Sequence, residues 1–150
     1  MSIDKDINQR KFRNEHQRSI INIIFTYNWM MEQIKQVVEP MGITMQQFNI
    51  LRILRGSGKP ISTMKIRERM LDKMSDTSRI VDRLVIKGVA KKVISKSDKR
   101  LVDITITDKG KKLLLKIDEH EETLDKIVSA LSLKEAHALN MLLDKIRQSD

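Results

Sequence analysis

Residues 75–88 read Ser75-Asp76-Thr77-Ser78-Arg79-Ile80-Val81-Asp82-Arg83-Leu84-Val85-Ile86-Lys87-Gly88, and residues 90–107 continue with Ala90-Lys91-Lys92-Val93-Ile94, the basic tip Ser95-Lys96-Ser97-Asp98-Lys99-Arg100, and Leu101-Val102-Asp103-Ile104-Thr105-Ile106-Thr107. The first segment has helical spacing, with Ile80, Val81, Leu84 and Val85 on the inner side and Ser75, Asp76, Ser78, Arg79, Asp82 and Arg83 outward. Ser75 is the expected N-cap and Gly88 the expected C-cap. Beyond Gly88 the period drops to two. Val102, Ile104 and Ile106 alternate with Leu101, Asp103 and Thr105, which predicts a half-buried strand paired with Ala90–Ile94. A short helix and then a hairpin with a basic tip make a helix and a wing. Such a helix suits a DNA major groove, and an arginine on a stiff hairpin can reach the adjacent minor groove.

Working upstream, Thr44-Met45-Gln46-Gln47 fits a capping box that opens a helix running to about Arg55, with Phe48, Leu51 and Leu54 as its apolar stripe. Gly56 to Pro60 is a turn cluster, after which Ser62 caps a short helix through Lys65, Ile66, Arg69 and Met70. Only Asp72-Lys73-Met74 separates it from Ser75, which gives helix-turn-helix order.

The flanks are helical too. Ile20, Ile23, Ile24, Tyr27, Met30, Met31, Ile34, Val37 and Val38 predict an amphipathic helix from roughly His16 to Glu39, stopped by Pro40 and Gly42. At ~1.5 Å per residue it would be about 35 Å long, long for so small a domain. Thr107 is expected to begin another long helix with Leu113, Ile117, Leu124, Ile127 and Leu131 on one stripe. Ser132-Leu133-Lys134-Glu135 is a second capping box, opening a last helix with Leu139, Leu142, Leu143 and Ile146. These stripes either form a helical dimer interface or close the monomer's core. The length of the helices favours the interface. The fold class expected is mainly α with a small antiparallel β wing, as one unit over 1–150. Dimerisation helices would occupy about 16–40 and 108–148, around a winged lobe at about 44–107.

Of the net charge of +9, the segment from Ser62 to Lys112 carries 15 basic against 7 acidic residues, net +8. The excess is therefore local to the helix and wing, and favours a polyanionic partner there. With no cysteine there is neither a disulfide nor a thiol switch, and a reducing cytoplasm is the expected location. Neither a signal peptide nor a run of ~18 apolar residues is present, so no membrane association is expected. No Gly-rich phosphate loop or His-carboxylate constellation suggests an enzyme. His16, His120 and His137 lack metal-ligand spacing, so neither a metal nor a cofactor is expected.

Duplex phosphates supply much of DNA affinity, so Lys65, Lys73, Lys91, Lys92, Lys96 and Lys99 are candidate anchors. Ser62, Ser75, Asp76, Ser78, Arg79 and Arg83 are candidate contacts around the reading helix, with Arg79 able to fork onto guanine. Ser75 has the alternative of being only the N-cap, and Arg83 that of meeting phosphate or pairing near Asp82. In Asp98-Lys99-Arg100 the acid and the arginine share one side of an extended chain, so the carboxylate can aim the guanidinium.

The series Ser78-Arg79-Ile80-Val81-Asp82-Arg83-Leu84, Gly88, Asp98-Lys99-Arg100, Leu101 to Thr107 and Asp108-Lys109-Gly110 resembles, in order and spacing, the MarR family of winged helix-turn-helix transcription regulators. Gly42-Ile43-Thr44-Met45-Gln46-Gln47-Phe48 adds to the match, which spans about Ile20 to Ile146. The resemblance implies a homodimer held by its terminal helices, binding a pseudo-palindromic operator in double-stranded DNA with Arg100 in the minor groove. It also implies a repressor released by a small aromatic or phenolic effector in a cleft between the dimer helices and the DNA lobe. Asp76 departs from the family's usual uncharged residue, and would repel phosphate or accept from a cytosine amine. Phe25, Trp29 and Phe48, with Tyr27, Met30, Met31, Met41 and Met45, are candidates to line the cleft, although such a stripe is more often core. A different reading makes the winged helix a protein-interaction module without specific DNA readout.

Overall fold

The structure, a computed structural model, describes residues 2–9, 11–96 and 98–148. The wing-tip residue Ser97 lies outside them. After a short α1 (Ile3–Asp6), Asn14 caps α2 (Glu15–Val38) by accepting the Gln17 N–H, so that the helix begins one residue ahead of the expected start. A 3-10 turn through Pro40 ends it. The Thr44 capping box opens α3 (Met45–Ser57), with both reciprocal bonds formed. Phe48, Ile50, Leu51, Ile53 and Leu54 of α3 are buried, which makes this helix the centre of the core.

A strand that the sequence reading did not anticipate comes next. β1 (Ile61–Ser62) pairs antiparallel with β3, Ile61 opposite Ile104, so the sheet has three strands in the order β1-β3-β2 rather than two. Two residues carry no readable alternation, and Ser62 is also the cap expected of it, accepting the Lys65 N–H of α4 (Thr63–Arg69). Then come α5 (Thr77–Ile86), β2 (Ala90–Ile94) and β3 (Val102–Ile106), paired from Ala90 opposite Ile106 to Ile94 opposite Val102. Val81 and Leu84 are the buried side chains of α5 among the expected four, while Ile80 and Val85 are half-buried at its flank.

The long helix expected from Thr107 is divided. It forms α6 (Asp108–Asp118), a turn at Glu119 and His120, and α7 (Glu121–Lys126). Arg55 of α3 holds Asp118 with two bonds, at 2.5 and 3.1 Å, pinning the end of α6 to the core. The chain then restarts with Glu121 and Glu122 in a first turn, where negative charge suits the helix N-terminus. At the other end of α6, Thr107 accepts the Gly110 N–H and donates to the Gly88 carbonyl, while Lys109 donates to the Lys87 carbonyl. Gly110 is required by close approach, since a Cβ there would lie 2.2 Å from the Val89 carbonyl oxygen. Gly88, at φ +72°, ends α5 in the left-handed region.

The Ser132 capping box opens α8 (Leu133–Ile146), a helix with no buried residue. Leu133, Leu139, Met141, Leu142 and Ile146 are exposed, as are Ile20, Ile23, Ile24, Phe25, Tyr27 and Trp29 of α2. These stripes do not close the core of the single chain.

Candidate nucleic-acid interface

The lobe presents α5 and the β2–β3 wing side by side. The cap of α5 is Asp76, whose Oδ1 accepts the Arg79 N–H at 3.1 Å, and not Ser75. Ser75 belongs instead to the preceding turn, where its hydroxyl donates to the Asp72 carbonyl at 2.8 Å and its own carbonyl accepts the Thr77 N–H. The turn made by Asp72, which also accepts the Met74 N–H, takes Ser75 and moves the helix start by one residue. The unusual acid at position 76 thus has a local task, satisfying an amide that would otherwise be unpaired at the helix start. Ser78, Arg79 and Arg83 lie exposed on α5, and among the described residues neither arginine has an ion-pair partner. Arg83 does not pair near Asp82, because Asp82 is engaged by Lys92 at 2.8 Å.

At the wing tip the expected fork is present. Arg100 Nε and Nη2 donate to the two oxygens of Asp98 at 3.2 and 3.3 Å, and the Arg100 backbone N–H donates to Oδ1 at 2.9 Å. The guanidinium bond, and then the backbone bond, hold the Asp98 carboxyl below its ordinary range. Arg100 keeps 90% of its side-chain exposure while Asp98 keeps 34%. The carboxylate is the anchor and the arginine projects. Lys96 and Lys99 are exposed beside it, and Lys65 is exposed on α4. Lys73 is differently used. Its ammonium donates to the Glu68 carbonyl at the end of α4, and its side chain lines a cavity behind the lobe.

That cavity, about 900 Å³, lies between α2, α3 and the α6–α7 corner. Phe48 lines it from α3, with Tyr27, Met30, Met31 and Met45. Phe25 and Trp29 do not, because they stand on another face of α2 from the Tyr27, Met30, Met31 and Ile34 stripe. Met41 is also outside it. Two further contributors went unread in the sequence. Arg52 places its guanidinium 5.6 Å from the Phe48 ring centre, a cation–π contact at the cavity wall. Asn49 accepts the Leu71 N–H at 3.0 Å, joining the cavity wall to the turn between α4 and α5. The available signal was a polar residue set between Phe48 and Ile50 in a buried run. Thr77, also unread, is 4% exposed, and its hydroxyl has no hydrogen-bond partner among the described residues.

A three-stranded antiparallel sheet folded against a helix-turn-helix, with an arginine-tipped wing beside the second helix, defines a winged helix-turn-helix protein. The chain belongs to the MarR family. The family's profile matches residues 43–102, from the entry to α3 through the wing. The HTH-type transcriptional regulator PecS of Dickeya dadantii is 30% identical over 109 residues, a match covering 71% of this chain and 66% of PecS. The fold is also that of a MarR variant from E. coli complexed with operator DNA, at a TM-score of 0.79 and 22% identity, covering 91% of this chain and 98% of the other. BpsR of Bordetella bronchiseptica, whose DNA binding is regulated by 6-hydroxynicotinic acid, matches at a TM-score of 0.75 and 21% identity, covering 85% and 91%. Among the described residues no helix is long and apolar enough to cross a membrane.

Proposed function

We propose that this chain is a homodimeric transcriptional repressor that binds a pseudo-palindromic operator in the cytoplasm and is released by a small aromatic or phenolic ligand. The observation that carries DNA binding is the pairing of an exposed α5, bearing Arg79 and Arg83, with an Arg100 aimed by Asp98 on the neighbouring wing. One helix and one wing serve adjacent major and minor grooves. In this reading Ser78, Arg79 and Arg83 face bases or the phosphates next to them, and Lys65, Lys96 and Lys99 meet phosphates. Ser62, Ser75 and Asp76 shape the helix starts. Lys73, whose ammonium donates to the Glu68 carbonyl, stays exposed and keeps further donors for a phosphate.

The dimer is supported by the apolar faces of α2 and α8, which are too large to leave in water. Residues 16–40 and 108–148 would form it around the lobe of 44–107, with the two α5 helices about 34 Å apart, one turn of DNA. The ligand reading is supported by the cavity, whose floor is the turn leading into α5, and by the regulation of BpsR by an aromatic acid.

The test is a titration of DNA from immediately upstream of the chain's own gene, against a scrambled duplex, over a salt series. Preference for the upstream DNA, strong salt dependence and loss of the preference in Arg100→Ala are expected. Equal affinities that survive Arg79→Ala and Arg100→Ala together, with little salt dependence, would favour the protein-interaction module instead.

A further inference from the structure

The recognition helix and the root of the wing face each other across a notch of about 220 Å³, lined among others by Thr63, Ser78, Asp82, Lys92 and Val102. Lys92 lies opposite Ile104 in a register that sets Ala90 opposite Ile106. It therefore shares the sheet face of the buried Ala90, Ile104 and Ile106, while Lys91 and Val93 point to the other side. The lysine is turned toward the helix layer, and its ammonium ends 2.8 Å from Asp82 Oδ1, one turn beyond Ser78 on α5. Both side chains are about half exposed, so the pair adds little to stability. Its position matters more. In the DNA-binding reading, a duplex with its major groove on α5 and its minor groove on the wing would pass a phosphate strand across this notch.

We infer that Asp82 limits the affinity of the protein for DNA: it occupies Lys92 at the helix–wing junction and keeps this lysine from acting as a sequence-blind phosphate anchor. The inference rests on the DNA-binding reading above. Transfer of Lys92 to a phosphate would leave the Asp82 carboxylate unpaired beside a polyanion, and that repulsion opposes the exchange on any sequence. Removing the carboxylate would free the ammonium for every duplex alike, and affinity would rise by the same factor on each.

The test is a double-mutant cycle on the full chain with Asp82→Asn, Lys92→Gln and both together. Each protein is titrated over a salt series with a duplex recovered by selection from a random pool and with a scrambled duplex of equal composition. D82N should tighten scrambled and selected DNA by the same factor. It should also steepen the scrambled-DNA salt slope by about 0.9, equivalent to about 3.5-fold between 50 and 200 mM salt. K92Q should leave the slope unchanged when Asp82 is present and remove the added 0.9 in the D82N background. Additive slopes, or a D82N slope equal to that of the native protein, overturn the inference while leaving DNA binding intact. Absence of any preference for selected DNA in the native protein overturns both.

Discussion

Replacing Gly110 with alanine builds a Cβ 2.2 Å from the Val89 carbonyl oxygen and 2.7 Å from Ile106 Cγ1. Neither neighbour can give easily. The Val89 carbonyl accepts the Thr107 N–H at 3.1 Å, and Ile106 is buried in β3. Relief requires α6 to move away from the wing by about 1 Å, breaking that bond and loosening the Thr107 cap. Overpacking of this kind costs about 3 kcal/mol. With a urea m-value of about 2 kcal/mol/M, the unfolding midpoint should fall by about 1.5 M at fixed protein concentration. Gly88→Ala is the control. It meets only the flexible end of Lys109, at 3.9 Å, and its cost is the left-handed φ of +72°, about 1 kcal/mol or about 0.5 M. If G110A stays within 0.5 M of the native midpoint, or loses less than G88A, the close approach of α6 to β2 and β3 is refuted as the reason for glycine at 110.

Three further outcomes follow from single contacts. Thr77→Val removes a buried hydroxyl without a partner and should raise stability by about 1 kcal/mol, read by urea unfolding, whereas a loss would show that the hydroxyl is satisfied. Asn49→Ala deprives the Leu71 N–H of its acceptor and should lower stability by about 0.5–1 kcal/mol, with faster amide exchange at Leu71 and the turn around it; unchanged exchange would refute the link. The Asp98 carboxyl should titrate below the ordinary carboxylate value by NMR and rise toward it in Arg100→Ala, which removes the guanidinium bonds and keeps the backbone one. Because its folded value is depressed, whatever the pair contributes is complete above the ordinary carboxylate range and is lost as pH falls through the lowered value. An Asp98 titration indifferent to the substitution would remove the aiming role.

The parts of this fold that could be read from the chain are those with a strong local pattern. The Thr44 and Ser132 capping boxes, the period-two run at Ile104 and Ile106 and the Asp98–Arg100 spacing act over a few residues, and all are present in the structure. What escaped depends on partners distant in the chain. β1 exists because Ile61 meets Ile104, the helix break after Asp118 is held by Arg55, and Lys92 turns inward because of its register with Ile104. Even the local error at Ser75 has a tertiary element, since the Asp72 turn that claims Ser75 is itself placed next to the Leu71–Asn49 bond. The cavity shows the same limit. Aromatic composition singled out Phe25, Tyr27, Trp29 and Phe48 together, but the face of α2 that meets α3 is set by packing, and it offers Tyr27 and turns Phe25 and Trp29 away.

The absence of cysteine allows a direct test of where the wing goes. Lys99→Cys, labelled with an iron-chelate cleavage reagent and shown to retain binding to a selected duplex, carries a DNA-cutting centre next to Arg100. Cleavage confined to two minor-groove segments, related by the operator's dyad and flanking the major-groove sites of the two α5 helices, is the predicted result. Cleavage scattered along the duplex, or confined to a single segment, would contradict a dimer that sets each recognition helix in a major groove and each Arg100 in the minor groove beside it.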